Sequence, residues 1–340
     1  MIIQVRRAET RVGRGIVDAL RAEGVHEVRV GDDGPEACDV VLDAGLRPAG
    51  IDAVRAALEG GSHWVDLCWR RGWASEVAAL DERARELDRA AVCSAGAFCG
   101  LTDPFVRAAS EKLVRTNEVL LGVAAGDPGE LDEESFAMLL EDRDRTVRML
   151  IGGEWSERRF FGDTRTFFFP KPFGDRQGSN VDVVDLEHFT GKGVRSASVR
   201  LTVAPPSGLA LKAARAFLAL AHRGRIREPE RKPARVASWL RRLGGRGPWC
   251  LGIVVRGLGD TRLPVESRTA FAPPKGRAEV LSVAPALEIV RSLAESPRPG
   301  AGPPNGRVAA KDLESRLATF GVGIVRGDLG GWRGEAVPRS

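Results

Sequence analysis

Tyrosine does not occur anywhere in this chain of 340 residues. That removes a phenol as a catalytic acid and excludes chemistry built on a Tyr-Lys pair. Histidine is scarce, at four residues, and the five cysteines stand singly at positions 38, 68, 93, 99 and 250. No Cys-x-x-Cys pair and no zinc-ligand spacing is visible, so a structural metal is not expected. Isolated cysteines of this kind read as small buried hydrophobes in a reducing compartment. Cys99 differs, because it falls in a turn at a strand's carboxyl end, where a functional thiol is a second reading. No apolar run approaches the roughly 20 residues that span a bilayer. The first residues lack a signal-peptide pattern and look like a strand that begins at once, which places the expected protein in the cytoplasm. No internal repeat is present.

What is there is ordinary for a globular protein: 43% apolar and 29% charged residues. The length allows two domains with ample core. The formal net charge of +5 comes from heavy use of arginine. It permits a favourable field for anionic ligands such as dinucleotides or acyl-phosphopantetheine compounds.

The chain is organised around residues 39–115. Short apolar runs at 39–42, 63–67 and 90–94 alternate with helical patterns, which is the mark of consecutive βαβ units and a parallel sheet. Ile51, Val54 and Leu58 share one helical face, as do Val77, Leu80, Ala84 and Leu87. The strand runs are almost wholly apolar, as strands buried on both faces should be. Gly60 and Gly61 suit a helix end. Thr102, Asp103 and Pro104 suit a helix start, with a cap and a first-turn proline.

Two segments within this stretch carry a family likeness. Ala56, Ala57, Leu58, Glu59, Gly60 and Gly61 followed by His63, Trp64, Val65, Asp66 and Leu67 resemble the Ala-Leu-x-x-Gly-x-His-Tyr-Val-Asp-Leu segment of saccharopine dehydrogenase-like oxidoreductases. Gly96, Ala97, Phe98, Cys99, Gly100, Leu101 and Thr102 resemble their Gly-x-x-Pro-Gly-Leu-Ser turn, with Cys99 where proline is usual. The likeness extends more weakly over most of the chain. It implies an α/β fold: a Rossmann-type parallel-sheet domain, then an α+β domain with a mostly antiparallel sheet, and a C-terminal helix returning to the first domain. It also implies NAD or NADP as cofactor and a small-molecule substrate, and it allows a homodimer.

Residues 1–38 read as the first βαβ unit, with strands at 1–5 and 27–30 and a helix at 13–22 ended by Gly24. The loop between them departs from the family. A dinucleotide-binding loop carries glycines so that the backbone can approach the pyrophosphate. Here Arg7, Ala8, Glu9 and Thr10 occupy that loop and only Gly13 survives, followed by Arg14. Side chains at 7 and 9 crowd the pyrophosphate path, and Glu9 is negative, while Arg6, Arg7, Arg11 and Arg14 are placed to pair phosphate oxygens. Two readings stay open: the dinucleotide binds in an altered way, or the site is lost. Asp32 stands where an acidic residue holds the adenosine ribose, which favours NAD over NADP; the plain reading of Asp32, Asp33, Gly34 and Pro35 is a turn. By resemblance the loop from Asp43 through Ala44 and Gly45 to Pro48 lies along the nicotinamide half; otherwise it is a βα connection. Asp66 either caps the next segment or faces the cleft. The candidate cofactor contacts are therefore Gly13, Arg14, Asp32, Ala44, Gly45 and Asp66. No catalytic residue stands out.

Trp69, Arg70, Arg71, Gly72 and Trp73 suit a stacking surface, an acyl-chain contact, a lid or an interface patch. The expected domains are 1–115 for the dinucleotide-binding-like domain, 116–275 for the substrate or dimerisation domain, 276–327 for a segment packing back on the first, and 328–340 for a loose tail. Within the second, strands are expected at 118–124, 146–151, 165–169 and 195–203 and helices at 131–140 and 208–221. Phe167, Phe168, Phe169 and Phe173 either line an apolar pocket or pack the core. His188 is a lone histidine, a general acid on one reading and structural on the other. Residues 223–246 hold nine Lys/Arg and two Glu. They read as a basic amphipathic helix, either docked on its own domain or lying on an anionic membrane; no nucleic-acid module surrounds it. A late hairpin joins 249–257 to 268–272, followed by a helix at 284–293. Residues 296–306 read as a flexible linker and 311–320 as a last helix. Two functions remain: an NAD(P)-dependent oxidoreductase acting on a small metabolite, acyl or imine substrate, or a non-catalytic relative that keeps the fold and serves as a binding or scaffolding partner.

Overall fold

The computed structural model describes residues 1–31, 38–127, 130, 137, 141, 146–191, 198–205, 207–222, 238, 242, 247–304 and 306–335. Asp32, nearly all of the expected 131–140 helix and most of the basic 223–246 segment lie outside the described residues. The chain forms two compact units, one of residues 1–104 with 279–317, the other of residues 105–278 with 318–340.

The first unit begins with β1 (Ile2–Arg6), α1 (Arg11–Glu23), β2 (Glu27–Val30) and β3 (Val40–Asp43). Next come α2 (Ile51–Glu59), β4 (His63–Asp66), α3 (Arg71–Ala78), α4 (Asp81–Glu86) and β5 (Ala90–Val92). A π-type turn at Ala97–Leu101 leads into α5 (Thr102–Ser110). β3 and β5 are buried at every position, which is why, Asp43 apart, they are written in Val, Leu and Ala. α1 buries Val12, Ile16, Val17 and Leu20 on one stripe. Thr10 caps it by accepting from the Gly13 amide at 3.0 Å.

The second unit carries β6 (Arg115–Ala124), β7 (Thr146–Ile151), β8 (Glu154–Arg159), β9 (Thr164–Phe168) and β10 (Asp175–Asn180). α6 (Asp185–Gly191), β11 (Ser198–Ala204), α7 (Gly208–His222), β12 (Cys250–Leu258) and β13 (Pro264–Ala272) follow. The late hairpin is present, with Leu251 opposite Phe271 and Leu258 opposite Pro264. The phenylalanine run is core: Phe167, Phe169 and Phe173 are buried together with Ala124, Ala204, Cys250 and Val254, while Phe168 faces solvent. Their fit depends on two glycines. Gly122 on β6 and Gly252 on β12 are register partners, and the Phe167 ring lies over both. A Cβ at Gly122 would come within 2.5 Å of that ring. We expect Gly122→Ala to cost about 1–3 kcal/mol through overpacking, read as a lower urea midpoint. The cost should shrink in a Phe167→Leu background, where the ring is gone. His188 lies in α6 with its ring 5.8 Å from that of Phe189.

The C-terminal part adds α8 (Val280–Glu295), β14 (Gly300–Gly302), α9 (Ala310–Thr319), β15 (Gly323–Asp328) and β16 (Gly331–Trp332). Two expectations are corrected here. The Pro/Gly run is not simply a linker, because β14 extends the parallel sheet beside β5, with Ala301 opposite Ala91. The chain beyond Gly327 is not all loose, because β16 pairs with β15, and β15 pairs with β13. The first sheet runs β14-β5-β4-β3-β1-β2, with parallel pairing throughout. The second runs β16-β15-β13-β12-β6-β11-β10-β9, with β7 on β11 and β8 on β7. It is antiparallel apart from the β6–β11 pair. No described helix is long and apolar enough to cross a membrane.

Candidate functional site

Strand order locates the candidate site. β1 has β2 on one side and β3 on the other. Strand order therefore reverses at β1, and in open α/β sheets ligands bind outside the strand carboxyl ends at such a point. The residues there are Arg6 ending β1 with Arg7 after it, Asp43 ending β3 with Ala44 and Gly45 after it, and Asp66 ending β4 with Leu67 and Cys68 after it.

Arg7 dominates this edge. Its backbone takes a φ of +51°, a left-handed conformation that costs a non-glycine residue roughly 1–2 kcal/mol. Its side chain turns across to β3. Nε donates to Asp43 Oδ1 at 2.6 Å and Nη2 to Asp43 Oδ2 at 2.5 Å. Nη2 also donates to the Arg47 carbonyl at 2.8 Å. This is the two-pronged arginine–carboxylate geometry, and it is largely closed off: the Asp43 side chain is 1% exposed and that of Arg7 21%. Parallel register makes the reach short, since Arg6 lies opposite Asp43. The Gly45 amide completes the set by donating to Asp43 Oδ1 at 3.0 Å.

The two glycines kept in this region serve the bridge. A Cβ on Gly45 would fall 1.9 Å from the Arg7 guanidinium carbon, so only glycine leaves room for that side chain. A Cβ on Gly13 would fall 2.4 Å from the Arg7 carbonyl and 2.8 Å from the Ala8 Cα, inside the turn that holds Arg7 in place. The Thr10 amide and hydroxyl both donate to that Arg7 carbonyl.

Asp66 ends β4 beside Asp43 and faces inward. Oδ2 accepts from Trp64 Nε1 at 2.8 Å and Trp73 Nε1 at 3.0 Å, and Oδ1 from the Cys68 amide at 3.0 Å. Burial pushes its carboxyl up to about 7 and the nearby Asp43 adds to the rise, against the three donors that pull it down. The same burial lifts Cys68 to about 12 and Cys93 well above the ordinary thiol value. Neither is a thiolate near neutrality. Cys99 is fully buried. Of the tryptophan pair, Trp73 is committed to Asp66, and Trp69 is half-buried, edge-on to Phe98 at 5.5 Å.

The chain is similar over nearly its whole length to two solved structures. Apo saccharopine dehydrogenase (L-Glu forming) from Saccharomyces cerevisiae superposes with a TM-score of 0.66 at 10% identity, over 96% of this chain and 99% of that one. Homospermidine synthase from Legionella pneumophila, in complex with NAD, superposes with a TM-score of 0.62 at 12% identity, over 100% of this chain and 94% of that one. This is a saccharopine dehydrogenase-like fold. At such identities the likeness establishes the fold alone. No protein-family model matches the sequence, and no curated protein matches it either.

In this saccharopine dehydrogenase-like fold, Gly13, Ala44, Gly45 and Asp66 gather at the carboxyl edge of the parallel sheet. Arg14 is exposed on α1, where its amide donates to the Thr10 carbonyl at 2.9 Å. Three of the four arginines expected to meet phosphates are engaged elsewhere. Arg7 pairs with Asp43, Arg11 with Glu279 at 3.1 Å, and the Arg6 guanidinium lies 5.8 Å from the Trp64 ring centre. Asp43 was the residue that sequence reasoning left out of the site. The available signal was an arginine at an early glycine position together with a carboxylate ending the third strand.

The residues present do not fit a nicotinamide dinucleotide in the fold's usual crevice. The glycine-bearing loop exists to let a pyrophosphate near the backbone; here Arg7 stands in that loop, and its guanidinium crosses to fill the space above Gly45 in the loop after β3.

Proposed function

We propose that this chain is a non-catalytic relative with a saccharopine dehydrogenase-like fold, one that has lost dinucleotide binding and acts as a binding or scaffolding protein. The observation that supports it is the Arg7–Asp43 bridge across the switch point. Admitting a dinucleotide there means swinging Arg7 away and leaving Asp43 buried and unpaired beside Asp66. Breaking a buried pair in that way costs about 3–5 kcal/mol, a factor of roughly 10²–10³ or more in affinity. A cofactor held at micromolar concentration by an open crevice would be held here only near millimolar.

The experiment is a thermal melt of the full chain with and without NADH and NADPH, each near 1 mM. A ligand at about 100 times its dissociation constant stabilises by roughly 2.7 kcal/mol, several degrees for a chain of this size. We expect a shift of less than about one degree with either nucleotide. A clear, saturable shift with one of them would overturn the proposal. It would restore the other reading, an NAD(P)-dependent oxidoreductase acting on a small metabolite, acyl or imine substrate, which otherwise rests on the fold alone.

A further inference from the structure

We infer that the cleft between the end of α8 and the start of α9 is a binding site for a small oxyanion, a carboxylate or a phosphate, gripped by Arg307 and Arg298. The site is separate from the switch-point crevice and does not depend on whether that crevice takes a dinucleotide. The cleft has a volume of about 270 Å³, and its walls include Glu288, Arg291, Glu295, Arg298, Arg307 and Asp312. It is too small for a dinucleotide, and it has room for an oxyanion on a short organic body.

The balance of charges decides the sign of the ligand. Glu288 is buried and already doubly paired, by Arg316 Nε at 2.6 Å and by Arg291 at 3.8 Å. Glu295 is held by Arg291 Nε at 2.7 Å. Asp312 sits in the first turn of α9, where a carboxylate complements the helix dipole. Those contacts account for Arg291 and its two glutamates. Arg307 and Arg298 remain, and neither makes an ion pair or side-chain hydrogen bond among the described residues.

Arg307 is partly buried and surrounded by its own sign. Burial, then Arg298, then Arg85 all disfavour its charge, and Asp81 offsets them only in part. Asp81 is itself committed, to Arg85 Nε at 2.9 Å and to the Ala301 amide at 2.7 Å. A half-buried guanidinium facing a cleft beside a second arginine is the arrangement that a carboxylate or phosphate satisfies, by paired N–H donation from the fork.

The test titrates the full chain with sodium phosphate and, separately, sodium succinate, following the melting midpoint against sodium chloride at matched ionic strength. We expect saturable stabilisation by at least one of the two anions beyond the chloride control, at least tenfold weaker in Arg307→Gln or Arg298→Gln. Should Arg307→Gln fail to melt cooperatively, Arg298→Gln, at an exposed position, carries the comparison alone. No saturable effect beyond chloride would overturn the inference, and so would an unchanged midpoint curve in every variant that folds. The stronger of the phosphate and succinate arms identifies the class of ligand.

Discussion

Arg7→Ala should lower the unfolding free energy at pH 7 by about 3–5 kcal/mol, the size expected when one member of a buried ion pair is removed. Asp43, whose side chain is 1% exposed in the intact bridge, would lose its counter-charge and keep the Gly45 amide as a donor and the buried Asp66 as its neighbour on the next strand. A surface ion pair would predict a much smaller loss, about 0–1 kcal/mol. The measurement therefore distinguishes a bridge that closes the crevice from a surface contact. Backbone strain sharpens the test. Alanine keeps the unfavourable positive φ, whereas glycine relieves it, so Arg7→Gly should be less damaging than Arg7→Ala by about 1 kcal/mol. Adding Asp43→Ala to Arg7→Ala should recover much of the loss, because the charge stranded by the first substitution is then gone. Urea unfolding of the four proteins decides it. A loss under about 1 kcal/mol for Arg7→Ala would mean that the guanidinium leaves Asp43 readily, and the case against dinucleotide binding would fall with it.

The difference between what the sequence disclosed and what it withheld follows physical lines. β3 and β5 were legible because strands covered on both faces must be mostly apolar, and short runs of Val, Leu and Ala between helical patterns suit little else. β14 was not legible. Its three residues, Gly300, Ala301 and Gly302, have no strand propensity, and φ values of +129° and +134° at the two glycines suit a loop as well as an edge strand. Only the free edge of β5 makes it one. The late hairpin was legible from local alternation, while the Gly122–Gly252 seat for Phe167 needed the β6–β12 register, which no single segment carries.

The candidate site divides the same way. The missing glycines at 7–10 were visible as a departure. Their consequence was not, because whether Arg7 meets a phosphate or a carboxylate depends on which strand lies beside β1. Parallel register sets Asp43 opposite Arg6, the residue before Arg7, and no spacing in the sequence reports that. Asp66 was open between facing the cleft and capping the next segment. Trp64 on the same strand and Trp73 on α3 decided it, because both indole N–H groups need an acceptor once buried.

That inward-facing Asp66 has a measurable consequence. Its carboxyl is raised from 3.8 to about 7 by burial, so the folded protein holds this proton more tightly than the unfolded chain does. Stability falls with pH wherever the folded state binds more protons. The contribution of Asp66 should therefore be favourable below about pH 4 and be lost progressively up to about pH 7. Each pH step of one across that window is worth about 1.4 kcal/mol, and the whole comes to about 4 kcal/mol. Other groups titrate over the same range, so the comparison to make is with Asp66→Asn, which cannot ionise. At pH 5 the variant should be the less stable of the two. Its amide can accept from the indoles through its oxygen, but it presents an N–H to the Cys68 amide, which is left without its acceptor at a cost of about 1–3 kcal/mol. By pH 8 the wild-type protein has given up most of its advantage at this position, and the variant should match or exceed it. Urea unfolding at pH 5, 6, 7 and 8 measures the gap between the two proteins. A gap that closes or reverses as pH rises supports a carboxyl held protonated by burial. A gap that stays constant would mean that the three N–H donors outweigh burial and keep Asp66 ionised throughout, with two tryptophans and a backbone amide as sufficient compensation for a buried charge.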